Sequence, residues 1–212
     1  MIEIQNITLA YGQETVIRDF SLSIEAGQKI AIRGSSGSGK SSILRSLLGF
    51  VRPRQGRIVI DGTELNRHTV WPLRGRMGYV PQEADLGDAR VGALVERPFS
   101  FRANAALRGN LRRLPEMLER FGLSQAILAK EMPALSGGEK QRIALIMTLL
   151  LDRPILLLDE ISSALDAQST ETVVNLLAGS SQTVVLVSHD LRLAGVCDKV
   201  IDVPSYKEST AS

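Results

Sequence analysis

The chain has 212 residues, 44% hydrophobic and 23% charged, with 25 basic and 23 acidic side chains and a net charge of +2. That length and balance describe one large globular domain, or one domain with a small insert, and so nearly neutral a total gives no electrostatic case for nucleic acid. The single cysteine, Cys197, excludes an internal disulfide and suits a reducing compartment.

The start, MIEIQNITLAYG, lacks a basic-then-apolar leader, so no signal peptide is expected. IEIQNITLAY and VIRDFSLSIE alternate as strands do, and GQKIAIRG reads as a shorter buried strand ending at Gly34. Beyond GSSGSGKSS, the residues Ile43, Leu44, Leu47 and Leu48 fall at helical spacing and Gly49 supplies the stop. QGRIVIDGTEL predicts a hairpin turning at Asp61-Gly62.

From residue 83 to 133 the sequence is Arg-rich and helix-prone, with an amphipathic stretch in NLRRLPEMLERFGL. Arg97, Arg102, Arg108, Arg112, Arg113 and Arg120 read either as a solvated helical face or as a docking surface. Aromatic residues to stack on bases are scarce there. The last third returns to strand–helix alternation. IALIMTLLL reads as a helix, PILLLDE as a buried strand, STETVVNLLAG as a helix and QTVVLVSHD as another buried strand. The most apolar run falls far short of the roughly 20 residues of a membrane span. The closing PSYKESTAS is polar and expected to fray.

GSSGSGKS (34–41) follows a strand and precedes a helix, the context a phosphate loop requires. Gly34, Ser35, Ser36, Gly37, Ser38 and Gly39 let backbone N–H groups turn around a phosphate, and the helix opened by Lys40, Ser41 and Ser42 adds positive potential. Lys40 would reach the outer phosphates and the Ser41 hydroxyl would ligate Mg²⁺. ILLLDE (155–160) puts two acids at a strand end. Alone they could cap the next helix; beside a phosphate loop, Asp159 holds the Mg²⁺ shell through water and Glu160 polarises the attacking water. The direction of Glu160 is expected from strand alternation. His189 ends a strand expected to run parallel, where a γ-phosphate contact becomes plausible although a lone histidine is more often structural.

LSGGEKQR (135–142) then poses a puzzle, because it is a second glycine-rich turn opening a helix in a chain that already has one phosphate cradle. With GSSGSGKS, VPQ, ILLLDE, SALD and SHD in this order, the chain resembles the ATP-binding subunits of ABC transporters over nearly its whole length. The resemblance implies an α/β P-loop NTPase core, a mostly parallel sheet with flanking helices, with an N-terminal antiparallel β subdomain and an inserted α-helical subdomain. Residues 1–203 would form one ATP-binding domain, 1–82 and 134–203 its core and 83–133 the helical insert carrying, with 134–150, the signature; 204–212 would be a polar tail.

It further implies ATP and Mg²⁺ as cofactors and a head-to-tail homodimer in the ATP-bound state. The signature residues Ser136, Gly137, Gly138 and Glu139 of one copy would close on the ATP of the other. Tyr11 would stack on adenine, Gln82 would touch Mg²⁺ and the water, and Asp166 would signal across the dimer. A separate transmembrane permease, a cytoplasmic location on the inner face of the membrane, and no direct nucleic acid follow. A soluble ABC-type ATPase acting on nucleic acid or ribosomes is the competing class. Glu139, Met147 and Ile161-Ser162 depart from the commonest family residues. The run LSGGEKQRIALI…LLLDEISSALD looks most like the ATPase subunits of small two-component bacterial exporters, including an iron-export group. His68 and Trp71 match no functional position.

Overall fold

The computed structural model describes residues 2–204; the rest of the expected polar tail lies outside them. Strands β1 (Ile2–Tyr11) and β2 (Glu14–Ile24) form an antiparallel pair. In β1 the buried residues are Ile2 and Ile4, then Ile7 and Leu9, so the alternation skips a residue. Asn6, at φ 49°, makes the irregularity that returns Ile7 to the face of Ile4. Strand β3 (Lys29–Arg33) leads through the phosphate loop into helix α1 (Lys40–Leu47). Strands β4 (Gln55–Ile60) and β5 (Thr63–Glu64) form the expected hairpin, with Asp61 and Gly62 at φ 48° and 76°, as a type I′ turn requires.

Helix α2 (Val70–Arg74) and strand β6 (Met77–Val80) precede the helical segment. That segment holds α3 (Val91–Ser100), a run of 3-10 turns over Arg102–Arg113, α4 (Leu114–Arg120), and short 3-10 turns at Gln125–Ala129 and Met132–Ala134. The amphipathic stretch is therefore not one continuous helix. Pro115 sits in the first turn of α4, where its missing N–H is harmless; in a helix continuing from Asn110 its ring would strike the Leu111 carbonyl. The chain then runs through α5 (Gly137–Leu150), β7 (Ile155–Asp159), α6 (Ala167–Ala178), β8 (Thr183–Val187), α7 (Leu191–Gly195) and β9 (Lys199–Asp202).

One sheet is antiparallel in the order β2-β1-β4-β5; the other is parallel in the order β6-β7-β8-β3-β9. Both faces of the parallel sheet are covered, which is why ILLL and TVVLV carry no polar alternation. Leu156, Leu158, Val184 and Leu186 enter one core with α3, α4 and α5. Ile155, Leu157, Val185 and Val187 enter the other, against α1 and the antiparallel sheet. The carboxyl ends of β3, β6, β7 and β8 thus share one edge, and after them come the phosphate loop, Gln82, Asp159-Glu160 and His189.

Candidate nucleotide site

Gly39, the residue before α1, is at φ 92°, and a Cβ there would lie 2.8 Å from Ile17 Cδ1. Only glycine fits this entry into the helix. Lys40 is 4% exposed, and its Nζ donates to the carbonyls of Gly34 and Ser35 at 2.9 Å each. The same amine lies 3.6 Å from Glu160 Oε1. Ser38 Oγ is buried without a hydrogen-bond partner. An unsatisfied buried hydroxyl costs about 1–3 kcal/mol, so this loop fits an incoming acceptor such as a phosphate oxygen. No acid occupies the first turn of α1, which leaves the positive end of its dipole available to an anion.

At the end of β7, Asp159 is 2% exposed. Its Oδ1 accepts from Ser41 Oγ at 2.9 Å and its Oδ2 from the Tyr79 hydroxyl at 3.4 Å. Burial pushes this carboxyl above its ordinary range; the Ser41 hydrogen bond opposes that and the charge of Glu160 reinforces it. Among the described residues no group of three or more His, Cys, Asp or Glu could form an all-protein metal cage. A serine hydroxyl, one buried carboxylate and a nearby amide are instead the sparse hard-oxygen set that suits a cation sharing its shell with phosphates, which is the habit of Mg²⁺.

Glu160 departs from the expectation of strand alternation. The strand stops at Asp159, and Glu160 lies at φ 45°, ψ 37°, a left-handed conformation uncommon for a non-glycine residue. Its N–H is fixed on Val187 O at 2.8 Å, and its carbonyl accepts from Ser163 Oγ at 2.8 Å. The turn, not the pleat, sets the position of the carboxylate. Oε2 accepts from Gln82 Nε2 at 3.0 Å, and the side chain does not cap the following 3-10 turn. His189 is exposed, two residues past Val187 on the neighbouring strand. Tyr11 is 46% exposed and shares a hydrogen bond of 3.1 Å with Ser42 Oγ, so its ring borders the first turn of α1 and is not core.

The second glycine turn lies apart. Ser136 caps α5 in a reciprocal box: Glu139 N donates to Ser136 Oγ at 3.3 Å, while Glu139 Oε2 accepts from Ser136 N and Oγ at 2.9 Å each. The Ser136 backbone hydrogen bond, then that of its hydroxyl, holds the Glu139 carboxyl below its ordinary range. Glu139 is thus bound to its own helix start. A Cβ on Gly138 would meet the Ala164 carbonyl at 2.8 Å, whereas one on Gly137 would meet nothing. Among the described residues no hydrogen bond or ion pair joins this turn to the phosphate loop of the same chain.

Two residues that the sequence reading passed over connect these parts. Gln141, 1% exposed, donates Nε2 to the Pro81 carbonyl at 2.9 Å, one residue before Gln82. Arg142 donates to the carbonyls of Gly138 and Phe121 and lies 3.5 Å from Asp166 Oδ2. Asp166 itself caps α6, accepting from Ser169 N at 2.7 Å. The available signal was position: both residues follow the glycines by one helical turn, on the face of α5 that Gly138 begins.

A family model described as ABC transporter matches residues 17–163. The chain is 35% identical over 210 residues to the energy-coupling factor transporter ATP-binding protein EcfA1 of Latilactobacillus sakei, covering 95% of this chain and 74% of that one. It is 32% identical over 214 residues to the mitochondrial iron-sulfur clusters transporter ATM1 of Candida glabrata, covering 94% of this chain but 29% of that protein. A dimeric ATP-binding cassette solved in a post-hydrolysis state with ADP and Pi is similar at a TM-score of 0.84 and 28% identity, covering 98% of this chain and 97% of that one.

Proposed function

The chain belongs to the ABC transporter family, and from that premise we propose that it is the ATP-hydrolysing subunit that pairs with a second copy around ATP and drives a separate membrane-embedded permease. The observation that carries this reading is the split of the site. Lys40, Asp159, Glu160 and Gln82 converge at one sheet edge. The Ser136-Gly137-Gly138 turn opens a helix elsewhere, and among the described residues no hydrogen bond or ion pair joins it to the phosphate loop of its own chain. Two copies related by a two-fold axis complete each other's sites, each lending a helix N-terminus to the other's phosphate.

The residue roles follow from chemistry. Lys40 exchanges the carbonyls of Gly34 and Ser35 for phosphate oxygens. Ser41 and Gln82, with Asp159 through water, would hold Mg²⁺, which would supply positive charge against the negative charge developing on the transferring group. Glu160, oriented by Gln82, takes the proton of the attacking water, and His189 offers a hydrogen bond at the adjacent strand end. Tyr11 presents its ring to the base, and the N–H groups of Gly137 and Gly138 approach the partner's γ-phosphate. Glu139 supports that contact by holding Ser136.

No helix of the described residues is long and apolar enough to cross a membrane; in this reading the permease holds the subunit at the inner face. Relatives named for unlike systems, an energy-coupling factor transporter and an iron-sulfur clusters transporter, stand at nearly equal identity. That is expected where the membrane subunit selects the cargo, and iron export gains no preference from it. Action on nucleic acid is disfavoured by the near-neutral charge.

The test mixes two inactive variants. Lys40→Ala lacks the cis cradle and Ser136→Arg blocks the turn offered in trans. Each alone hydrolyses no ATP, but a mixed pair holds one intact composite site, so the mixture regains phosphate release. If mixed pairs form and remain silent, the shared-site reading fails.

A further inference from the structure

We infer that the protein carries a second anion site, separate from its ATP site, in a cleft of about 570 Å³ at the far end of α1, and that it receives a small phosphate-rich anion. Arg52, Arg54, Arg57, Arg67 and Arg74 line the cleft together with His68, and Glu64 is the only acid among the lining residues. None of these belongs to the phosphate loop or the signature turn. Five arginines lining one space repel one another unless counter-charge enters.

The fold supplies little. Elsewhere arginines meet carboxylates, as in Arg76 with Asp61 at 2.9 Å and Arg192 with Asp190 at 2.7 Å. In the cleft the recorded partners are neutral. Arg57 Nε donates to Gln5 Oε1 at 2.7 Å, Arg67 Nε to His68 Nε2 at 2.9 Å, and Arg54 to the Gly12 carbonyl. Arg74 Nε donates to Leu48 O at 2.7 Å, with its guanidinium 4.4 Å from the Phe50 ring centre and 5.0 Å from that of Trp71. Each of these bonds uses one of five N–H donors, so these four arginines are held but neither neutralised nor saturated.

A helix C-terminus ordinarily repels anions. Here its carbonyls are covered: Ser46 O accepts from Gly49 N, Arg45 O from Phe50 N, and Leu48 O from Arg74. The lining contains arginine and no lysine, and guanidinium forks match paired phosphate oxygens. The volume is within the roughly 300–1,000 Å³ of small-molecule sites, and several fixed charges call for a multiply charged ligand. α1 would then hold an anion site at each end, Lys40 at one and Arg74 at the other.

Trp71 is the only tryptophan and stacks on Arg74, so its emission reports on the cleft. The full chain, with its nucleotide site saturated by ADP, is titrated with inorganic tripolyphosphate. A saturable emission change is expected, weakening steeply with salt. Arg52→Ala combined with Arg67→Ala should reduce that affinity at least about tenfold with ADP affinity unchanged, and Glu64→Gln should tighten it a few-fold. Sedimentation with phosphatidic acid vesicles, against phosphatidylcholine vesicles, separates the sources: arginine-dependent capture assigns a lipid headgroup, and none assigns a soluble anion. The inference is overturned by no saturable change with either probe, by a change undiminished in the double variant, or by a polyglutamate peptide binding more tightly than tripolyphosphate.

Discussion

The phosphate loop and the signature turn are both glycine-rich starts of helices, yet their surroundings differ. Lys40 and Ser38 are buried, and Lys40 is anchored by two carbonyls of its own loop and approaches Glu160. Ser136 and Gly137 are exposed, and Glu139, three residues on, closes the turn from its own helix. The same local device becomes a self-contained cradle when packed against a sheet edge and an offered surface when it caps a helix at the periphery. The proposed function gives chemistry to the first and assembly to the second.

The largest effect expected on that contrast comes from the buried side. Glu160→Gln should lower phosphate release by roughly 10²–10⁴-fold, the worth of a general base, with ATP binding retained and ATP-bound pairs accumulating on size exclusion. Unchanged turnover would remove Glu160 from its role. Lys40→Ala removes a charge-assisted contact of about 1.5–3 kcal/mol, so ATP affinity measured by calorimetry should fall roughly 10–150-fold. A normal affinity would detach the cradle from nucleotide binding.

On the exposed side, Glu139→Gln should change ATP-driven pairing by no more than about fivefold, or ~1 kcal/mol, and chiefly at low salt. A large loss would mean that the carboxylate does more than hold the cap. The smallest effect separates fold from function at Asp159. Its pKa is raised, so the wild type and Asp159→Asn should match in acid, below the ordinary value of 3.8, and diverge as pH rises through and beyond it. Near neutrality the variant should melt higher although it hydrolyses no ATP, and added Mg²⁺ should narrow the gap by stabilising only the wild type. Parallel melting curves at all pH values would contradict the burial penalty.

What the sequence revealed follows the same division. GSSGSGKS was legible because a phosphate dictates residue types in an unbroken run. ILLLD and TVVLV were legible because strands covered on both faces admit no polar residue. Strand β6 gave no such signal, having four residues with Gly78 among them. Strand β9 is an edge strand whose residues are largely exposed. The left-handed turn at Glu160 could not be read from a residue type that rarely adopts it. Gln141 and Arg142 were hidden for another reason: their partners, Pro81 and Asp166, are distant in sequence, so only folding gives these side chains a task.

The Gln141 bond to Pro81 has a mechanical meaning. It works as a tie rod between the helix that begins at the signature and the segment holding Gln82, which in turn steadies Glu160. A swing of the outer helical lobe would tug on the Pro81 carbonyl and slacken the grip on the base. On the proposed function, movement imposed from outside would thereby be converted into readiness or idleness of the engine.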